Sequence, residues 1–303
     1  MIKFNRDCTV VITTFYAGDK LLKCIKNIPK NFKIIIIDNG REVKNINIFK
    51  KYKNVKYIIP KSNLGVPKSY NLAFRHVKTP FMFNTQPDVI VNKNCLQKLL
   101  IKTNKYKNAA ILSPIIFHSG KYLKEGDYKS LAYLKKNNNI STQHINNKKP
   151  PTKDITVDAV TGTAMLIRRK FLKSIGLWDG NIFNYFEDMD ICLRLQKKGY
   201  NVMKIFNTRV DHFAFSSHKP QIHMKMDFSR NWHYSWSILY FNRKHGSWVF
   251  STLQSLSLIF KYIIKVLFYG MLFNKKSNDY FAKLYGTICS IVNLKSFYRP
   301  SIH

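Results

Sequence analysis

CTVVITTFYAGDKLLKCIKNIPKNFKIIIID, residues 8–38, is the stretch on which the fold turns. Cys8–Thr14 (CTVVITT) and Lys33–Asp38 (KIIIID) are apolar runs of strand length. Between them Leu21, Leu22, Ile25 and Ile28 recur at helical spacing until Pro29 ends the pattern. A strand, a helix and a second all-apolar strand form a βαβ unit, whose strands run parallel and are covered on both faces.

The alternation continues outward from this unit. Val55–Ile59 reads as a third strand, and Ser62–Val77 as a loop with Gly65 and Pro67 that becomes a helix. Pro80–Thr85 (PFMFNT) is a fourth strand, Asn94–Thr103 a helix and Ala109–Phe117 a fifth strand. Residues 118–153 lapse into Lys, Asn and Tyr, ending at Pro150-Pro151, and read as a variable surface insertion. Regular structure resumes with a strand over Asp158–Arg168, whose Gly162 signals close approach of another backbone or a ligand. A helix from Glu187 to Lys198, closed by Gly199, precedes two strands at Asn201–Phe206 and Thr208–Phe213. The expected class is α/β, with a mostly parallel central sheet flanked by helices.

Residues 1–220 are expected to form this domain and residues 221–303 a separate helical segment. Gln221–Lys244 is aromatic and basic, and Gly246–Phe273 is apolar apart from Lys261 and Lys265. Gly246–Phe260 is uncharged but shorter than the roughly 20 residues that span a bilayer. Lys261 and Lys265 share a helix face, and Lys275, Lys276 and Lys283 extend a basic rim, as in a helix lying at a membrane interface. A core helix packed on the main domain fits the same pattern.

The chain has 303 residues, with 51 Lys and Arg against 16 Asp and Glu, a formal charge of +35. Hydrophobic residues at 45% exclude a disordered chain. The basic excess is mostly lysine, accompanied by Asn and Ile, as an AT-rich coding bias produces. No zinc-finger, RNP or basic-zipper pattern accompanies it, so no specific nucleic-acid partner is expected, while attraction to anionic surfaces is. Five scattered cysteines without a CxxC pair point to reduced thiols in the cytoplasm. The apolar stretch Val10–Tyr16 is too short for a signal segment.

Ligands of α/β sheets lie at the carboxyl ends of the strands. Those ends supply Thr13 and Thr14, Asp38-Asn39, Asn63 with Gly65, and Asn84-Thr85-Gln86-Pro87-Asp88. Singly, each reads equally well as a turn; together they mark one edge. Asp88, just after an apolar strand, is a candidate carboxylate for a divalent cation against a diphosphate. The sharpest signal is NYFEDMD, residues 184–190. Sixteen acids predict about 0.2 per four-residue window, yet three fall within Glu187–Asp190, beside Trp178, Tyr185 and Phe186. Acids in a first helical turn favour the dipole, which accounts for one or two of them. An aromatic setting also raises a carboxylate toward the range of a useful base. His212, after an apolar run, is a candidate metal or phosphate ligand. Ser-His-Asp order, HExxH and the P-loop pattern are missing, which removes the usual support for hydrolase and NTPase readings.

The ordered series VVITTFYAGDKLLKCIKNI, IIIIDNG, NLGVPKSYNLAF, NTQPD, VTGTAMLIRRKFLKSIGLWDGNIFNYFEDMDICLRLQKKGY and VDHFAFSSH resembles the inverting family 2 glycosyltransferases of the GT-A fold. Its nearest branch is the rhamnosyltransferase-like enzymes of cell-surface polysaccharide assembly. The resemblance implies a Rossmann-like GT-A domain with a C-terminal helical, membrane-leaning appendage. Thr13 and Asp38 would hold the nucleoside of a nucleotide-sugar donor, and Asn63, Gly65 and Asn71 would line its pocket. Asp88 would be the last acid of a DxD-type motif that binds Mg2+ or Mn2+, with His212 completing that site. Gln86 stands where the motif's first acid would be, leaving one carboxylate. Asp188 would be the catalytic base, with Glu187, Asp190 and Trp178 positioning it or the acceptor.

The implied reaction moves a sugar, dTDP-rhamnose being the expected donor, to a saccharide or lipid-linked acceptor at the inner face of the membrane. UDP-hexose, N-acetylhexosamine and galactofuranose donors are the alternatives. A basic nucleic-acid-binding or membrane-binding protein without activity is the competing class.

Overall fold

The computed structural model describes residues 7–42, 44–91, 93–123, 149–213 and 223–299. Most of the insertion expected at 118–153, and the boundary expected at residue 220, lie outside the described residues. The described strands are β1 Cys8–Thr14, β2 Lys33–Asp38, β3 Val55–Ile58, β4 Phe81–Thr85, β5 Val89–Val91, β6 Ala109–His118, β7 Lys121–Tyr122, β8 Ile155–Thr156, β9 Ala164–Arg168 and β10 Asn201–His212. The helices are α1 Asp19–Asn27, α2 Lys44–Phe49, α3 Gly65–His76, α4 Lys93–Lys105, α5 Arg169–Ser174, α6 Glu187–Lys197, α7 His223–His245, α8 Trp248–Met271 and α9 Lys276–Ile291.

The strands join in one sheet whose main path is β3-β2-β1-β4-β9-β6-β10-β5. β3, β2, β1 and β4 run parallel, as do β6 and β10. β9 is antiparallel to both neighbours and β5 is antiparallel to β10. The mostly parallel sheet is therefore present, with an antiparallel strand in its middle.

Apolar content explains the first unit. β1 is buried except at Thr13, and β2 except at Lys33, so neither strand alternates, as expected for strands covered on both faces. α1 buries Leu21, Cys24 and Ile25 into a cluster with Ile12, Ile34, Ile36 and Phe83. It stops at Ile28, whose ψ of 129° is the extended geometry that Pro29 imposes on its predecessor.

Two expectations change. The strands expected at 201–206 and 208–213 are one strand, β10, which shifts register against β6 between Ile205 and Arg209. Asn207 takes φ 59°, a conformation asparagine tolerates, and the Thr208 hydroxyl donates to the Ile205 carbonyl at 2.6 Å across the irregularity. The strand expected from Asp158 begins only at Ala164, and residues 158–163 form a loop. Within β10 the fully buried Lys204 donates to the Pro114 carbonyl at 2.6 Å. All five cysteines are buried thiols outside any disulfide; burial, then the charge of Asp88, pushes the Cys24 thiol up to about 12, and burial takes Cys95 there as well.

The chain divides into two compact units, one holding the sheet with its helices through residue 178 and again from Asp188, the other Asp179–Glu187 with α7, α8 and α9. In the second unit Trp232, Trp236, Ala282 and Cys289 form a small core. α7 and α9 touch so closely that a Cβ on Gly286 would clash with the Trp232 carbonyl oxygen. Asp179 accepts from Lys244 Nζ at 2.6 Å and from the Tyr240 hydroxyl at 2.8 Å. Tyr185 and Phe186 are consecutive left-handed residues, φ 68° and 66°. Ser237 donates to the Asn184 carbonyl at 2.8 Å, and the Phe186 ring packs on Tyr234 and Phe241, holding this costly backbone. Among the described residues α8 is the one helix long and apolar enough to cross a membrane.

Gly286→Ala is expected to lower stability by roughly 1–3 kcal/mol, because backbone rather than a pliant side chain opposes the new methyl; urea unfolding followed by tryptophan fluorescence measures it. His233 is buried between Ser296 and the Tyr298 carbonyl, each at 3.0 Å. Burial, then the charge of Arg299, depresses it from 6.5 to about 3. The unfolded chain thus binds a proton that the folded chain refuses between those values, so the associated stability is complete above pH 6.5 and declines as pH falls toward 3. Melting temperature should fall over pH 6.5–4, with a shallower slope in His233→Gln.

Candidate active site

Strand register defines one polar edge. Thr14 pairs with Asp38, and Ile12 with Thr85, at the carboxyl ends of parallel β1, β2 and β4. Thr85 also pairs with Ala164, the first residue of antiparallel β9, so the 158–163 loop enters at this same edge. Three residues past Thr85 comes Asp88, and Val89 after it pairs with His212 at the carboxyl end of β10. Gly162 in the entering loop donates its N–H to Asp188 Oδ2 at 2.8 Å, bringing the first turn of α6 to the edge as well. The neighbour at Gly162 is therefore a side-chain carboxylate rather than the backbone or ligand expected there.

The acids fall into two kinds. Asp38 is fully buried and shapes its own loop: Oδ1 accepts from Gly40 N at 2.9 Å, and Oδ2 from Glu42 N at 2.8 Å and the Tyr57 hydroxyl at 2.6 Å. Burial, then Asp38, drives the Tyr57 hydroxyl well above its ordinary value. Asp190, also fully buried, binds Arg194 at 2.6 Å. Arg194 in turn donates to the carbonyls of Ile175 and Leu177 at 2.6 and 2.7 Å. Asp188 is half-buried, with Met189 N donating to Oδ1 at 2.8 Å. Glu187, the first residue of α6, is buried.

Asn71, expected to line the donor pocket, has its amide engaged by backbone. Both ends of its amide grip the backbone of Trp178, Nδ2 donating to the carbonyl at 2.9 Å and Oδ1 accepting from N–H at 3.1 Å. The buried Trp178 ring lies against Tyr70 with centroids 5.0 Å apart. Asn63 closes a turn by accepting from Gly65 N at 3.0 Å, and Gly65 enters α3 at φ 70°. Thr13 is half-buried at the end of β1.

Asp88 and His212 come together as expected, Oδ1 to Nε2 at 3.7 Å. That is long for a hydrogen bond and about 0.7 Å longer than the roughly 3.0 Å between adjacent octahedral ligands at about 2.1 Å, so the two side chains would close by that amount on a shared cation. The oxygen and nitrogen donors suit Mg2+ or Mn2+ as a partial site. No cluster of three or more metal-capable side chains occurs among the described residues, so the diphosphate or water would supply the other ligands.

Several residues at this edge carry no role in the sequence reading. Asn39 accepts from Leu64 N at 3.0 Å and donates to Ser69 Oγ at 2.9 Å, knitting the 38–42 and 63–65 loops together. Thr14 Oγ1, Thr85 Oγ1 and both amide atoms of Asn84 are buried without a hydrogen-bond partner in the protein. Their position at strand ends was the available signal; their burial is a tertiary property. The His118 ring meets His212 edge-on, with centroids 5.5 Å apart.

The profile described as "Glycosyl transferase family 2" matches residues 9–176, more than half the chain. The chain is 22% identical over 228 residues to the low-salt glycan biosynthesis hexosyltransferase Agl10 of Haloferax volcanii, covering 70% of each. It is 24% identical over 250 residues to rhamnosyltransferase WbbL of Escherichia coli K12, covering 78% of this chain and 92% of that one. Among solved structures it is similar to GalNAc-T7 with UDP, GalNAc and Mn2+, with TM-score 0.54 and 17% identity over 68% of this chain and 43% of the other. It is also similar to mannosyltransferase PcManGT of Pyrobaculum calidifontis with GDP-Man and Mn2+, with TM-score 0.52 and 12% identity over 76% of this chain and 62% of the other. This chain spans less than two thirds of either structure, and the likeness is one of fold.

Asn71→Ala removes two hydrogen bonds from a buried peptide. Stability should fall by roughly 1–3 kcal/mol in urea unfolding.

Proposed function

The chain belongs to glycosyl transferase family 2, and on that premise we propose that it moves one sugar from a nucleoside diphosphate donor to an acceptor hydroxyl, with inversion at the anomeric carbon. The observation that carries this reading is the Asp188 carboxylate, fixed by the Gly162 N–H at the strand edge that also carries Asp88 and His212.

The chemistry follows from what the reaction requires. A hydroxyl is a poor nucleophile until its proton leaves, and Asp188 takes that proton as the oxygen attacks the anomeric carbon. The bond to the diphosphate breaks on the opposite face, its electron pair going to the departing phosphate oxygen, so a single displacement inverts the centre. Gly162 N–H and Met189 N–H fix the carboxylate's orientation. Asp190 acts at one remove by holding Arg194 on the 175–177 turn, and Glu187 positions the start of α6. On the donor side, Thr13, Asn63 and Gly65 meet the nucleotide. Asp38 contributes through the loop it shapes, and Asn71 through the Trp178 peptide. Asp88 and His212 would hold Mg2+ or Mn2+, which when bound neutralises charge on the leaving diphosphate.

A dTDP-rhamnose donor is favoured by the likeness to a protein named a rhamnosyltransferase, and UDP-hexose, N-acetylhexosamine and galactofuranose donors are the alternatives. The acceptor is a saccharide or lipid-linked saccharide of cell-surface polysaccharide synthesis, met at the cytoplasmic face of the membrane. Residues 1–220 are the catalytic domain and residues 221–303 the acceptor- or membrane-contacting segment.

Asp188→Asn should transfer sugar roughly 10²–10⁴-fold more slowly, with unchanged melting temperature and donor binding. A folded variant with the wild-type rate overturns the assignment. In a thermal-shift series with UDP, GDP and dTDP, one nucleotide should raise the melting temperature most, and more with Mn2+ present. Asp88→Asn and His212→Ala should lose the Mn2+ increment and keep the metal-free shift.

A further inference from the structure

We propose that α8 lies in the plane of a membrane, its outward face sunk into the lipid of an anionic leaflet, and so anchors the chain there. This rests on the exterior of the C-terminal unit and is independent of the transfer reaction.

α8 is built inside out. A helix on a water-soluble body buries its apolar stripe. Here Ser251 and Ser255 are 1% and 2% exposed, while Leu253, Phe260, Leu267 and Met271 are 60%, 68%, 61% and 73% exposed. At 100° per residue the two sets point to opposite sides. The inner stripe is held by packing of ordinary kind. Tyr269 stacks on Tyr280 with centroids 5.6 Å apart, and Ser277 donates to the Val266 carbonyl at 3.1 Å. With α7 and α9 that stripe also bounds a cavity of about 160 Å³, lined in part by Ser235, Asn242, Gln254 and Thr287. Ser251 and Ser255 thus face protein while large hydrocarbon side chains dominate the outward face, the arrangement that an apolar medium selects.

Charge identifies the occupant. Residues 223–299 hold eleven Lys and Arg against two Asp and Glu. Lys261 and Lys265 fall on one flank of the apolar face, where their stems can follow hydrocarbon while the ammonium groups reach phosphate. A second copy docked on this face would bring like charges together, whereas anionic head groups neutralise them. The helix is 24 residues, long enough to cross a bilayer. Crossing would carry α9 with it, and with α9 Asp279 and Lys283, into hydrocarbon, which the in-plane arrangement avoids.

Flotation of the full chain with vesicles tests this. The protein should rise with vesicles of mixed phosphatidylcholine and phosphatidylglycerol, and alkaline carbonate should release it. Phe260→Glu with Leu267→Glu should weaken binding by roughly a hundredfold or more. Lys261→Gln and Lys265→Gln should each weaken it about fivefold on the anionic vesicles and leave weak binding to pure phosphatidylcholine unchanged. Circular dichroism and the nucleotide thermal shift of the double Glu variant should match wild type. The proposal is overturned if wild type stays at the bottom of the gradient, if the folded Glu variant floats equally, if carbonate leaves the protein in the membrane, or if sedimentation equilibrium shows a stable dimer that the Glu variant splits.

Discussion

Strand β4 runs parallel to β1 and antiparallel to β9, so Thr85 lies beside Ile12 and Ala164 at once. Parallel pairing alone would send the neighbouring chain away from the carboxyl edge. Antiparallel β9 makes the 158–163 loop arrive where β1, β2 and β4 end, and Gly162 in that loop reaches Asp188. A shift of one residue in the β4–β9 register would exchange the two faces of β9 and move Gly162 off the carboxylate. β9 is paired on both edges, to β4 and to β6, and the chemistry inherits that register.

The scarce carboxylates are sorted by what surrounds them. Asp38, Asp154, Asp179 and Asp190 are each occupied by backbone N–H groups, tyrosine hydroxyls or cations, and serve as internal fasteners. For Asp154 and Asp179 burial alone would raise the carboxyl, but Lys102 and Lys244 respectively, with neighbouring donors, outweigh it and hold both groups below the ordinary value. Asp154, Asp179 and Asp190 each have a cation beside them, whereas Asp38 is held by N–H and hydroxyl donors. Asp88 faces the His212 imidazole, and Asp188 the Gly162 and Met189 N–H groups.

Much of this was written in the chain. Apolar runs of four to seven residues identified β1, β2 and β4 because strands covered on both faces need no alternation, and Pro29 and Gly199 marked helix ends through backbone geometry of their own. The acidic cluster at 187–190 stood out because composition made it improbable. Other features depended on partners far away in sequence. Asn71 and Trp178 are 107 residues apart, so an asparagine that looked like a pocket residue was already committed to a peptide. The Phe206-Asn207-Thr208 interruption resembled a strand end because a bulge and a turn use the same residue types. Asp158–Thr163 looked like strand because its apolar residues are buried, although in a loop.

Every thiol in this chain is sealed inside packed structure, and those of Cys8, Cys24 and Cys95 are further suppressed by burial. A maleimide or an iodoacetamide therefore meets no native competitor on the folded surface. A cysteine introduced at an exposed position becomes the single attachment point without first stripping out the natural five, whose removal would open cavities in β1, α1, α4, α6 and α9. The packing that silences these side chains leaves the intact protein ready for site-specific fluorophores and spin labels.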